Sequence, residues 1–329
     1  MSLVKVNLVV KLKSMWFKCL FCAMMLSLLA SRASVAMEDV AYLLTASSKG
    51  DVATVNALIA GGANPNVKDQ DGVTALMYAA RKDRADVVAA LIAKGADVNA
   101  KDKDAWNALM YAAKKNHVAS LKVLLVNGAD FTARDGAGWS AFGLAASAGF
   151  SQSLDLLIKH GADVNAKSDD GKTVLMHAAK SGDLATVKVL VDSKANLLMR
   201  DNLGVTALMI AAREGYVPVV ELLLSRGAMV DQKDFSKWTA LTWAVKKSKL
   251  DVAKLLLTSG ANANNLDSEG TPLLHIAVSN GSVELVKLLL DHQANVKAKD
   301  QYGLTALVYA LKSQQTEIIQ LIKNAGGSY

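Results

Sequence analysis

Cysteine is nearly absent: the 329 residues hold two, Cys19 and Cys22, both close to the N-terminus. A chain whose body carries no thiol builds no disulfide framework, is indifferent to an oxidising compartment and offers no cysteine nucleophile. No apolar run reaches membrane length either. The run Cys19–Ala30 spans 12 residues, short of the roughly 20 that cross a bilayer, so no stable membrane span is expected. Histidine is scarce, with five in all (His117, His160, His177, His275 and His292). A metal centre needs convergent ligands, and these five are scattered along the chain. No G-x-S-x-G nucleophile turn is present.

The short apolar run has a context. Lys5, Lys11, Lys13 and Lys18 precede it, and "SRASVA" follows, with small residues at Ser34 and Ala36. A charged segment, an apolar segment and an A-x-A-like site in that order predict a secretory signal over 1–36, cleaved after Ala36. A start at Met15 instead of Met1 would give a signal of more ordinary length. Neither cysteine sits in a lipobox-like setting, which argues against a lipid anchor. The same segment dominates the charge. Formal net charge is +7, but residues 1–36 hold five of the 37 basic residues and none of the 30 acidic ones. Residues 37–329 therefore carry 32 against 30, a net +2. The basic isoelectric point alone would invite a nucleic-acid reading; without the signal that reading loses its basis, and no nucleic-acid partner is expected.

What the chain has in abundance is repetition. "DGVTALMYAA" at 71–80 returns as "DGKTVLMHAA" at 170–179 and "LGVTALMIAA" at 203–212. Gly72, Gly138, Gly171, Gly204, Gly270 and Gly303 fall on one 33-residue ladder, with Ala105 and Lys237 on its empty rungs. A second ladder runs through Gly50, Gly149, Gly182, Gly215 and Gly281, and a third through Gly62, Gly95, Gly128, Gly161, Gly227 and Gly260. A fixed period of this size, unbroken by insertions, marks a stacked repeat architecture.

Each unit predicts a turn, a short helix, a turn and a second helix. Asp71-Gly72 is turn chemistry. Thr74 is a good N-cap for a helix over 75–81, because its hydroxyl accepts an orphan backbone N–H. Leu76, Ala79 and Ala80 then share one face, and the alanines allow close approach of a partner helix. Val87, Val88, Leu91 and Ile92 supply the buried stripe of the second helix. Gly95 ends it in the left-handed conformation. One unit buries too little alone and leans on its neighbours.

The pattern "G-x-T-A-L-x-x-A-A" followed by "V-V-x-x-L-I-x-x-G-A-D-V-N-A" resembles the ankyrin repeat, over roughly 40–327. The resemblance implies an all-α ankyrin-repeat solenoid over 37–329, of about nine units including two end caps, with β-turn hairpin tips. Departures are few. Met77, Met110, Met176 and Met209 stand where the family usually has histidine, which only His275 keeps. Pro272 suits a first helical position, which would start that helix one residue early. Lys194 and Gln293 replace the helix-ending glycine, predicting weaker or strained ends. The last unit has Lys323 where others have an aliphatic residue, as suits a cap.

Within this frame the apparent chemistry dissolves. The aspartates 69, 102, 135, 201, 234, 267 and 300 form a turn column rather than a row of catalytic carboxylates, and the glycines are turn and cap residues rather than a phosphate loop. No enzyme activity and no cofactor are expected. The remaining candidate is surface. The resemblance implies a concave groove made by the turn tips and the exposed side of each first helix. Trp106, Trp139 and Trp238 share one column of that groove, Phe235 and Tyr302 join from the turns, and the pairs Arg81-Lys82, Lys114-Lys115 and Lys246-Lys247 flank them. Exposed tryptophan beside lysine or arginine is interface composition. A blander reading lays each tryptophan on its own hairpin. Tyr78, Tyr111, Trp243 and Tyr309 share a column with Leu144, Ile210 and Ile276 and read as core. The sequence thus predicts a monomeric, exported, non-catalytic scaffold that binds a protein partner, in the periplasm or secreted. Two other uses share the surface: protection or assembly of an exported enzyme, and binding of an anionic polymer.

Overall fold

A computed structural model describes residues 40–328; the expected signal and its cleavage site lie outside the described residues. Described residues form eighteen helices and no strand. The first helix of each unit is short. These are α1 (40–49), α3 (Ala75–Arg81), α5 (Ala108–Ala113), α7 (Ala141–Ser147), α9 (Val174–Ser181), α11 (Ala207–Glu214), α13 (Ala240–Lys246), α15 (Leu273–Ser279) and α17 (Ala306–Lys312). The second helices are α2 (Val52–Ala60), α4 (Ala85–Ala93), α6 (Val118–Val126), α8 (Ser151–Lys159), α10 (Leu184–Asp192), α12 (Val217–Ser225), α14 (Leu250–Thr258), α16 (Val283–Asp291) and α18 (Thr316–Asn324). From α3 onward each first helix packs on its own second helix, and each helix packs on its counterpart one unit along. Two parallel layers of helices result, with the core running between them from end to end.

The periodic columns explain this packing. Leu76, Leu109, Leu175, Leu208, Leu241, Leu274 and Leu307 lie fully buried between the layers, with Leu91, Leu124, Leu157, Leu190, Leu223, Leu256 and Leu289 facing them. Ala79, Ala112, Ala145, Ala178, Ala211, Ala244, Ala277 and Ala310 are completely inaccessible. With a methyl group as the whole side chain, neighbouring first helices approach closely, which a larger residue would prevent. Lys323, at the end of the stack, is exposed.

Helix starts follow the expected capping, with an unforeseen partner. Thr74 Oγ1 accepts the Met77 N–H at 3.2 Å, and the Thr74 N–H points at Met77 Sδ at 3.4 Å. The same reciprocal pair recurs at Thr173–Met176 and Thr206–Met209. The methionine that replaces the family's histidine is thus a buried side chain whose soft sulfur faces the otherwise orphan capping N–H. Pro272 does not start its helix early. It takes the N-cap place, and α15 begins at Leu273, in register with Ala240 of α13. Proline's fixed φ near −69° sits with extended ψ here, and the bridge Leu266–Pro272 closes the hairpin as Lys68–Thr74 does elsewhere.

Lys194 and Gln293 do adopt the left-handed conformation, at φ 68° and 61°. Their helices nevertheless close as the glycine-ended ones do: the Ala195 N–H reaches Leu190 O and the Ala294 N–H reaches Leu289 O, as Ala96 does Leu91. The cost is therefore strain alone, and the ends are not weakened in hydrogen bonding.

Candidate protein-binding face

Each hairpin tip is built on its aspartate. Asp102 Oδ1 accepts the N–H groups of Asp104 and Trp106 at 2.9 and 2.8 Å. Asp135 and Asp234 hold Trp139 and Trp238 in the same way, at 2.8 and 2.9 Å. These carboxylates are consumed by the turns. The second oxygen does something sequence reasoning missed. Asp69 accepts the Tyr78 hydroxyl at 2.8 Å, Asp102 that of Tyr111 at 2.7 Å, Asp300 that of Tyr309 at 2.5 Å, and Asp234 accepts Trp243 Nε1–H at 3.0 Å. The four rings therefore pack against the core without being enclosed by it. They are half-buried on the exposed side of the first helices, drawn outward by a carboxylate nine residues earlier. The aliphatic members of that column, Leu144, Ile210 and Ile276, have no polar tip and stay buried. An aspartate nine residues before a Tyr or Trp was the available signal. Burial, then the bond to Asp102, pushes the Tyr111 hydroxyl well above its usual range. At Asp69 burial acts upward, but the Tyr78 hydroxyl and the N–H groups of Val73 and Asp71 outweigh it and hold the carboxyl low.

The three tryptophans are half-buried, not exposed. Trp106 lies against Tyr111 of its own unit, centroids 5.1 Å apart, and Trp238 meets Trp243 edge-on at 4.7 Å. Trp139 turns elsewhere. Its ring stacks on His177 of the next unit at 4.3 Å and covers Gly143, where a Cβ would come within 3.3 Å of the indole. Gly143 occupies the methionine column, so the missing side chain makes room for that ring. The same column position thus sends Trp106 and Trp139 to different partners.

Cations complete the face. Arg81 lies over Tyr78 at 4.8 Å and over Tyr111 at 5.9 Å, and Arg213 over Trp243 at 5.4 Å. Lys82, Lys114, Lys115, Lys246 and Lys247 are exposed. Phe235 and Tyr302, 69 % and 73 % exposed, stand on hairpin tips with no ring stacked on them among the described residues. Leu203, also 69 % exposed, accepts the Phe235 N–H at its carbonyl and places a second apolar side chain on the neighbouring tip.

Four of the five histidines hold backbone rather than one another. His117, His160 and His292 each pair Nδ1 with a carbonyl, of Ala80, Leu156 and Leu288, and His275 pairs Nε2 with Leu304 O. Among the described residues no three His, Cys, Asp or Glu side chains converge as a metal site, and no helix is long and apolar enough to cross a membrane.

The family model for ankyrin repeats (3 copies) matches residues 43–135, 133–201, 175–267 and 241–328. The chain is an ankyrin-repeat protein. Solved structures agree: the crystal structure of the human ASB11 ankyrin repeat domain superposes with a TM-score of 0.61 at 26% identity, covering 67% of this chain and 98% of that one. No curated protein matches. The ankyrin repeat is a protein–protein interaction scaffold.

Proposed function

We propose that this ankyrin-repeat protein is a non-catalytic scaffold that binds a protein partner on its concave face after export to the periplasm or beyond. The observation that carries the binding reading is the composite of Arg81, Trp106 and Tyr111 beside the exposed pair Lys114-Lys115. Rings already held by packing and by aspartate lose little freedom on binding, while mobile lysines beside them supply charge recognition. The turn aspartates are tied up in hydrogen bonds, and this supports a role without catalysis. Export rests on the charged, apolar and small-residue order of residues 1–36. N-terminal sequencing of the exported protein tests it: a start at Met37 is expected, and an intact Met1 or Met15 in a membrane fraction overturns it.

Binding is tested by affinity capture from periplasmic extract with residues 37–329, beside the same chain carrying Lys114→Glu and Lys115→Glu. A protein retained by the first and lost by the second supports the reading. The lysine pairs also suit an anionic polymer. Retention of nucleic acid or polysaccharide, with affinity collapsing as salt rises, replaces the protein partner with that ligand.

A further inference from the structure

The two best-formed parts of this face are copies of each other. Adding 132 residues, four units, to Arg81, Trp106, Tyr111 and Lys114-Lys115 gives Arg213, Trp238, Trp243 and Lys246-Lys247. The correspondence extends to geometry. In both places the column tryptophan packs against the ring five residues on, at 5.1 and 4.7 Å. In both, an arginine from the preceding unit lies over that second ring, at 5.9 and 5.4 Å. In both, the ring's polar tip donates to the turn aspartate, Asp102 or Asp234.

One further feature recurs only here, and a second is larger here than beside Trp139. On the first glycine ladder the residue before the tryptophan is non-glycine at Ala105 and Lys237 alone, and both hold the left-handed conformation, at φ 62° and 58°. An open cleft also lies on the same side of each tryptophan, of about 600 Å³ beside Trp106 and about 370 Å³ beside Trp238. Its far wall is the next hairpin tip in both cases, Asp135–Ala137 and Asp267–Glu269. Trp139, the third tryptophan of the column, has a smaller cleft of about 270 Å³ beside the next tip's Asp170, but it follows Gly138 and has Leu144 in place of the ring and Ser147-Ala148 in place of the lysines.

We infer that the protein carries two equivalent binding sites four units apart, each taking an acidic protein segment that lays an apolar side chain against the tryptophan and a carboxylate against the lysine pair. This rests on the concave-face reading above and adds the ligand class and a stoichiometry to it. Charge complementarity selects the occupant. Among the described residues none of Lys114, Lys115, Lys246 and Lys247 makes an ion pair. The aspartate behind each ring is occupied by backbone N–H groups and by the ring itself. Asp267 and Glu269 share the cleft wall with Lys246 but make no ion pair with it, so each lysine pair is left to meet a carboxylate from outside. With packed helices roughly 10 Å apart, four units separate the sites by about 40 Å. A partner bearing the motif twice, or a two-fold symmetric partner, would engage both and gain from effective concentration.

The test uses residues 37–329 and a labelled peptide of sequence Glu-Glu-Phe-Glu-Glu, alone and as two copies on a Gly/Ser linker of about 50 residues, whose r.m.s. span matches the separation. Calorimetric titration should saturate at two single peptides per chain. Lys114→Glu with Lys115→Glu should leave one site, as should Lys246→Glu with Lys247→Glu, and all four together should leave none. These lysines are exposed, so thermal melts should be unchanged. The tandem peptide should bind the parent chain at least about tenfold more tightly than the single one, with that gain lost in either pair variant. Saturation at one peptide, or a tandem with no gain, overturns the duplication while leaving a concave-face site standing. No peptide binding by the parent chain, or tighter binding of a DNA oligonucleotide of equal charge, overturns the acidic-segment assignment itself, whereas failure of the partner capture above is what defeats the wider reading.

Discussion

Ser168 Oγ lies 3.2 Å from His177 Nε2, at the one rung where the turn column holds serine instead of aspartate. The serine's single proton is directed at Asp170 Oδ1, 2.5 Å away. A neutral ring that donates through Nε2–H satisfies this contact, and Trp139 packs on the ring at a tilt. His177 is 6 % exposed, and burial brings its pKa down to about 4, with Asp170 opposing and Lys172 and Lys180 assisting. A base whose folded pKa lies below its unfolded value of about 6.5 binds fewer protons when folded, so stability falls with falling pH. The contribution is complete above pH 6.5 and is lost as pH drops toward 4, by roughly 2–3 kcal/mol at most. Denaturant midpoints from pH 7 to pH 4 should show this loss. His275, also lowered by burial, adds to it, so the difference between the parent and His177→Leu isolates His177. Equal slopes for the two chains would exclude His177 as a source.

Ser168→Asp is the complementary change. It restores the carboxylate that sits nine residues before Tyr78, Tyr111 and Trp243 in their own units, now facing a histidine. An adjacent carboxylate favours the charged imidazolium, so the His177 pKa should rise by at least about one unit. Titration of the histidine ring resonances by NMR measures it. An unchanged pKa would mean that the new carboxylate points away from the ring.

Lys194→Gly and Gln293→Gly should each stabilise the chain. Both residues sit at left-handed φ in helix ends whose hydrogen bonds already match those of the glycine-ended units. Relief of about 1–2 kcal/mol of backbone strain is partly offset by about 0.4–1 kcal/mol from glycine's freedom in the unfolded chain. A net rise of up to about 1 kcal/mol in each variant is the expected outcome of urea unfolding. A fall in both would show that these side chains make contacts worth more than the strain.

The second glycine ladder shows a different use of the same conformation. Asp83 and Asn116 take left-handed φ there, and their side chains reach one unit forward to buried Ser120 and Ser153, at 2.9 and 2.8 Å. The next rung has Gly149, and the residue in the serine's place, Thr186, is fully buried with Oγ1 unpartnered. An orphaned buried hydroxyl costs about 1–3 kcal/mol. Thr186→Val, which matches Val219 and Val252 in the same column, should raise stability by about 1 kcal/mol. Chemical denaturation checks it; a loss of stability would place an ordered water on that hydroxyl.

The repeat, its helices and its caps are legible because a 33-residue column fixes where each Cβ sits, and burial at that place selects residue type. A column does not fix χ angles. Trp106 and Trp139 occupy equivalent positions, yet the residue five on is Tyr111 in one and Leu144 in the other. Gly143 and His177 then open a separate seat for Trp139. In the same way, Tyr78 looks like core by its column, while its hydroxyl is held outward by Asp69. Side-chain direction depends on the neighbouring rung, and that is what a single column omits.

That distinction can be measured at the tryptophans themselves. Both Trp106 and Trp139 pack against the core, so removing either ring costs stability. Full truncation of a buried aromatic costs about 3–5 kcal/mol, and half-buried rings should cost about half of that or less. Trp139 should cost more, at about 2 kcal/mol against about 1 for Trp106, because its removal uncovers Gly143 and a buried neutral histidine together. Trp139→Ala also lets water reach His177, which raises its pKa toward 6.5 and flattens the pH dependence described above. Trp106→Ala leaves that dependence as it is. Unfolding of both variants at pH 7 and pH 4.5 separates the two cases. Equal losses at both pH values in both variants would mean that Trp139 does not shield His177, and the stack between them would carry none of the histidine's pKa depression.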